Sequence, residues 1–292
     1  DWSSDVCSSD LVGYWLYDVE GGWRWMLGSA AIPCIMILIG RFDLPESPRW
    51  LLRKGRVKEC EEMMIKLFGE PVAFDDEPPQ ETRFLQLFNR RHFPFVLFVA
   101  AIWTCQVIPM FAIYTFGPQI VGLLGLGVGK SAALGNVVIS LFFMLGCIPP
   151  MYWLNSMGRR PLLIGSFMVM TLALAVLGLI PDMGIWLVVA AFAAYAFFSG
   201  GPGNLQWLYP NELFPTDIRA SAVGVIMSLS RIGTILSTWA LPIFITKYGI
   251  NYVMLMGAGI SLFGLLISIA FAPETRGLTL TQTSKIGRAS CR

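Results

Sequence analysis

Charge is scarce in this chain. Of 292 residues only 21 are Lys or Arg and 19 are Asp or Glu, 14% together, and there is a single histidine. Soluble domains carry about 25% charged residues, so an ordinary soluble fold is excluded. The carboxylates that exist avoid every long apolar run after the first, which leaves no pair for general acid and base work inside them. Six cysteines occur without a CxxC or metal-type spacing. Cys34, Cys105 and Cys147 fall within apolar runs and read as small apolar fillers. No Walker loop and no nucleophile constellation occurs, so neither an enzyme nor an ATP-driven pump is indicated. Nothing calls for a metal, a cofactor or a nucleic-acid partner. The one histidine, His92, stands beside Arg90 and Arg91 and reads as a solvated loop residue.

What the chain has instead is long apolar runs, with 55% hydrophobic residues and a mean hydropathy of +0.63. A hydrocarbon core of roughly 30 Å needs about 20 apolar residues per helix. Seven runs meet that length, at about 24–42, 95–117, 132–154, 161–181, 185–208, 220–245 and 251–272. Ten-residue polar/apolar alternation is missing, which argues against a membrane barrel. The fold class is therefore all-α, a polytopic helical bundle with the lipid bilayer as its partner. Basic residues mark one side: "RKGRVK" (53–58), "NRRH" (89–92), "GRR" (158–160), Arg219 and Arg276. The opposite loops hold little beyond Lys130, Lys247 and Asp182. By the positive-inside rule the basic loops, with residues 43–93, are cytoplasmic and the membrane is the cytoplasmic (inner) one.

The two ends differ from the rest. "DWSSDVCSSDL" (1–11) lacks both a basic n-region and an apolar h-region, so it is no signal peptide. With "SKIGRASCR" (284–292) it reads as translated sequencing adapter rather than native chain, native disordered tails being the alternative. On that expectation the chain is a gene fragment. "PESPRWLL" (45–52) follows the first run and "PETRGLTL" (273–280) follows the seventh, with six runs between them. Such a spacing fits a duplicated six-helix half. The domains expected are the end of an N-terminal half over 12–44, a connector over 45–93 and a six-helix half over 94–283. In the connector, 55–69 suits a short amphipathic helix with Met63, Met64, Leu67 and Phe68 on one side, broken by "DDEPPQ" (75–80).

Taken with "NSMGRRPLL" (155–163) and "PNELFPTDIRA" (210–220), these motifs resemble the major facilitator superfamily, in its sugar-porter-like branch with metabolite and organic-ion transporters. All four stand in the family's order over residues 12–283. The resemblance implies the last helix of one half and all six of the other. It implies alternating access to a small-molecule substrate, with a co-transported proton as a further partner. It also implies a cytoplasmic gate in which Glu46, Arg49, Arg159, Arg160, Glu212, Arg219, Glu274 and Arg276 pair across the cytoplasmic face. Asn155 stands where the family usually has Asp, which weakens one arm of that lock. Exposed pairs are each worth roughly 0–1 kcal/mol, so such a gate depends on a network.

Transporter sites lie where helices are interrupted near the midplane. "FFSGGPGNLQWLYPNELFP" (197–215) and the Gly117-Pro118 step are the places where interruption is expected. Trp207 matches the family's substrate tryptophan, flanked by Asn204 and Gln206, which serve a ligand or the backbone the prolines free. In the second run the family's sugar-binding Q-Q and Asn fall at Thr104, Cys105 and Met110 when its tyrosine pair is set on Tyr114-Thr115, with Gln106 one residue away. That departure weakens a sugar reading. Arg231 lies in mid-run, where an arginine costs roughly 2.5–3.5 kcal/mol and needs a partner. No carboxylate in these runs supplies one. "SRIG" (230–233) matches an S-R-x-G of metabolite transporters, some of which receive anions at that arginine. The expected substrate contacts are Arg231, Trp207, Gln206, Asn204, Gln106, Tyr114 and Trp103, for an organic acid ahead of a hexose or pentose. A structural ion pair or helix-break tie remains open for Arg231, and a truncated, non-transporting membrane protein for the chain.

Overall fold

A computed structural model describes residues 11–16, 18–29, 31–42, 51, 56–68, 87, 89, 92–123, 130–180, 184–214 and 216–275. Among these there is no strand. The helices are α1 (Gly22–Ser29), α2 (Ala31–Arg41), α3 (Val57–Phe68), α4 (Phe93–Leu123), α5 (Lys130–Gly146), α6 (Ile148–Ser156), α7 (Arg159–Leu179), α8 (Ile185–Leu213), α9 (Thr216–Tyr248) and α10 (Ile250–Phe271). Among the described residues seven stretches are long and apolar enough to cross a membrane, and they coincide with the seven runs. With no water to bond to in hydrocarbon, each backbone amide must be satisfied within its own helix, which is why these runs are helical.

Three expectations need correction. The third run is two helices, because Pro149 and Pro150 at the start of α6 have no N–H to continue α5 past Gly146. The Gly117-Pro118 step does not interrupt α4, and Pro202 and Pro210 lie inside an unbroken α8. Membrane helices tolerate such residues because neighbouring groups satisfy the freed carbonyls. His92 is not a solvated loop residue: it is half-buried, with its ring 6.5 Å from that of Phe214. In α3 the buried side chains are Cys60 and Met64, which pack on Leu51 with Met63 at their edge, while the side chains of Leu67 and Phe68 lie outside the described residues.

Helices α4 to α10 share one core. Helix α10 packs along α7 and α4 through small residues: Ala258, Ser261 and Ser268 are buried. A Cβ on Gly264 would lie 2.8 Å from a ring carbon of Phe167 and 2.9 Å from Cβ of Cys105. Small side chains let membrane helices approach closely where apolar surface alone gives no drive to associate. Behind them Phe167, Met170, Leu174 and Leu177 of α7 are fully enclosed. Helix α8 packs against α7, α5 and α4, α4 also packs against α5, and α9 lies against α4. By contrast, α1 and α2 bury almost nothing on the other described helices.

Candidate substrate site and cytoplasmic gate

The row of α8, α4 and α9 brings together most of the residues named for a substrate. Trp103 of α4 is buried and meets the half-exposed Trp207 of α8 edge to face, with ring centroids 5.0 Å apart. Arg231 is exposed on α9, and its guanidinium carbon lies 5.2 Å from the ring centroid of Phe111, also on α4. Fifteen residues after Thr216, Arg231 stands about 22 Å along a helix of roughly 50 Å, so it is central. Among the described residues no carboxylate lies within ion-pair distance of it. The ring face supplies a cation–π contact worth about 0.5–2 kcal/mol, which leaves the fork of N–H donors free to meet an anion.

Gln106 and Asn204 turn inward. Gln106 is 2% exposed; its Nε2 donates to Ser199 Oγ at 3.1 Å, and its Oε1 is enclosed with no hydrogen-bond partner. Gln206 Oε1 is likewise enclosed and unpartnered. Asn204 spends its amide on protein, since Nδ2 donates to the Cys147 carbonyl at 3.0 Å. The side chain of Tyr114 lies outside the described residues. Ser199 and Phe111, which Gln106 and Arg231 touch, carry no distinguishing mark in the sequence.

The charged motifs form one network at the ends of α7, α8 and α10. Arg159 Nη2 pairs with Glu212 Oε1 at 2.8 Å, with the two side chains only 15% and 13% exposed. The same guanidinium donates through Nη1 to the Leu154 carbonyl at 3.2 Å. Thr275 Oγ1 donates to the other oxygen of Glu212. Glu274 caps the start of α7, accepting the backbone N–H of Arg159 at 3.0 Å and of Arg160 at 3.1 Å. A carboxylate there meets both the free amides and the positive end of the helix dipole. Tyr209 Oη donates to the Pro273 carbonyl at 3.2 Å, Arg160 Nη2 to the Ile269 carbonyl and Arg219 to the Phe214 carbonyl. Glu46, Arg49 and Arg276 lie outside the described residues. Thr275 was legible in principle, as the hydroxyl of the repeated P-E-[ST]; Tyr209 gave no such signal.

The family described as "Sugar (and other) transporter" matches residues 9–286. The chain belongs to that family. It is 88% identical, over 98% of its own length, to YaaU of Escherichia coli (strain K12), whose name gives metabolite transport as a provisional role. It is 32% identical over 96% of its length to the inner membrane metabolite transport protein YgcS of the same organism. In each case it covers 64% of the relative. Among solved structures, the proton:xylose symporter XylE bound to 6-bromo-6-deoxy-D-glucose matches 95% of this chain and 63% of its own, with a TM-score of 0.74 at 21% identity. The fold is that of the major facilitator superfamily.

Proposed function

We propose that the protein serves secondary transport of a small organic carboxylate across the inner membrane by alternating access. The observation that carries this reading is Arg231, central in a membrane helix, seated on a ring and facing no protein carboxylate among the described residues. A charge that costs several kcal/mol to insert is retained where it meets a ligand. Trp103 sits eight residues, about 12 Å, along α4 from Phe111, and with Trp207 of α8 against it suits the apolar body of such a ligand. Inner-membrane placement draws on the name of YgcS, and the cytoplasmic side on the basic loops. A proton as coupling ion draws on relatives named as proton symporters, among them the arabinose-proton symporter of Bacillus subtilis (strain 168).

A sugar is the second reading. The glucose transporter GlcP of Staphylococcus epidermidis is 28% identical, and the unpartnered Gln106 Oε1 would accept from a hydroxyl. Thermal unfolding in detergent against panels of small carboxylates and hexoses separates the two. A carboxylate is expected to raise Tm in the wild type and not in Arg231→Gln. Stabilisation by a hexose that survives Arg231→Gln, with no response to any carboxylate, would overturn the carboxylate reading. Saturable uptake into proteoliposomes tests transport itself.

A further inference from the structure

Lys247, the last cation of α9, stands against rings rather than acids. Its ammonium lies 5.2 Å from the ring centroid of Tyr248. Among the described residues no carboxylate comes within ion-pair distance of it, and Asp182, in the loop after α7, lies outside them. Around it a chain of rings crosses the joint of α9 and α10: Phe244 stacks on Tyr248 with centroids 5.8 Å apart, and Tyr248 meets Tyr252 at 6.2 Å. Gly249, with φ +83°, turns the backbone there so that α10 starts at the next residue. Lys247, Tyr248 and Tyr252 are all exposed. Tyrosines concentrate where apolar chain meets water, which puts this joint at the level of lipid headgroups.

From Tyr252 an exposed stripe runs along α10. Tyr252, Met256, Gly259, Phe263 and Leu266 recur at steps of three and four residues, on the face opposite the buried Met254, Ala258, Ser261 and Ser268. Gly259 has no side chain, and nothing lies within 4 Å of a Cβ placed on it, so a furrow opens between Met256 and Phe263. Eleven residues, about 17 Å of helix, separate Tyr252 from Phe263, close to the roughly 15 Å of one leaflet.

We infer that this corner seats an anionic phospholipid, its phosphate on Lys247 beside the Tyr252 hydroxyl and one acyl chain along the furrow over Gly259. Lys247 decides the headgroup. An ammonium that no acid neutralises is matched by a headgroup of net negative charge, whereas a zwitterionic headgroup brings a second ammonium to the same place. A second copy of the chain packed on the same stripe would likewise bring a second Lys247 to the level of the first, so charge favours lipid as the cover. The seat does not depend on what is transported and stands apart from the Arg231 reading.

Lipid titration of the whole chain in a neutral detergent, followed by native mass spectrometry, tests it. Phosphatidylglycerol is expected to bind the wild type more tightly than phosphatidylethanolamine with the same acyl chains. Lys247→Gln is expected to weaken phosphatidylglycerol about fivefold, the scale of one lysine at an anionic surface, and to leave phosphatidylethanolamine as it was; Lys247→Arg is expected to keep the wild-type affinity. Gly259→Leu fills the furrow and is expected to weaken both lipids. Both positions are exposed, so the thermal melts of these variants are expected to match the wild type. Equal binding of the two lipids overturns the seat, as does phosphatidylglycerol binding indifferent to Lys247→Gln or to Gly259→Leu. Competition by glycerol phosphate as strong as by the lipid marks a free-anion site and overturns it, and so does a dimer that keeps lipid off the stripe. A fall in Tm shared by Lys247→Gln and Asp182→Asn assigns Lys247 to an ion pair and overturns it as well.

Discussion

Gly158 sits where α7 begins, with φ +93° and ψ 171°, a backbone region essentially confined to glycine. A Cβ there would also lie 2.7 Å from an oxygen of Glu274, whose carboxylate caps the helix. Gly158→Ala is expected to cost about 1–3 kcal/mol in chemical denaturation, because backbone strain and a displaced cap act on one residue. At the partner end, Glu212 accepts from Arg159 and Thr275 with little exposure to solvent. Glu212→Gln is expected to lower stability by about 1.5–3 kcal/mol, the worth of a hydrogen bond to a charged group. Thr275→Val, which removes only the neutral donor, should cost about half as much in the same unfolding experiment. Arg159 and Glu212 were legible in the motifs; that they bind each other, rather than groups across the cytoplasmic face, depends on distance.

At the scale of elements, the tightest packing lies where α5 meets α8. Gly200→Ala would press a methyl into the backbone of Gly146, which has no flexible side chain to move aside. It is expected to abolish the folded state or lower Tm by more than 10 °C, since overpacking costs about 1–3 kcal/mol even where side chains can yield. Gly224→Ala is the control: nothing lies within 4 Å of its Cβ, and Tm is expected to stay within a degree or rise, as glycine is a poor helix former. Light-scattering and circular dichroism melts distinguish the two. The seven runs were readable because length and hydropathy alone demand helices in lipid. The effect of Pro149 and Pro150 as against Pro118, Pro202 and Pro210 was not, since whether a proline ends a helix depends on neighbours that satisfy the freed carbonyls.

For the whole molecule the proposed topology can be checked directly. Lys247 ends α9 on the side opposite Arg159, its ammonium 5.2 Å from the ring centroid of Tyr248. In intact cells a membrane-impermeant amine reagent is expected to label Lys247 and to spare Lys58 and Lys66 of the connector, which should react once the membrane is opened. Labelling of Lys58 in sealed cells would reverse the orientation.

The amino-acid sequence by itself determined the solvent, the helical class, the number of spans and the superfamily. Each of those follows from composition, run length or motif order, none of which needs a distance. Only the tertiary structure decided how the marked residues are used. Asn204 and Glu274 are both polar residues in motif-bearing stretches, yet one binds a backbone carbonyl across two helices and the other caps a helix start. Arg231, by contrast, meets a ring and no acid among the described residues. A polar side chain takes whichever partner the packing brings within about 3 Å, and that proximity arises between segments more than fifty residues apart in the chain.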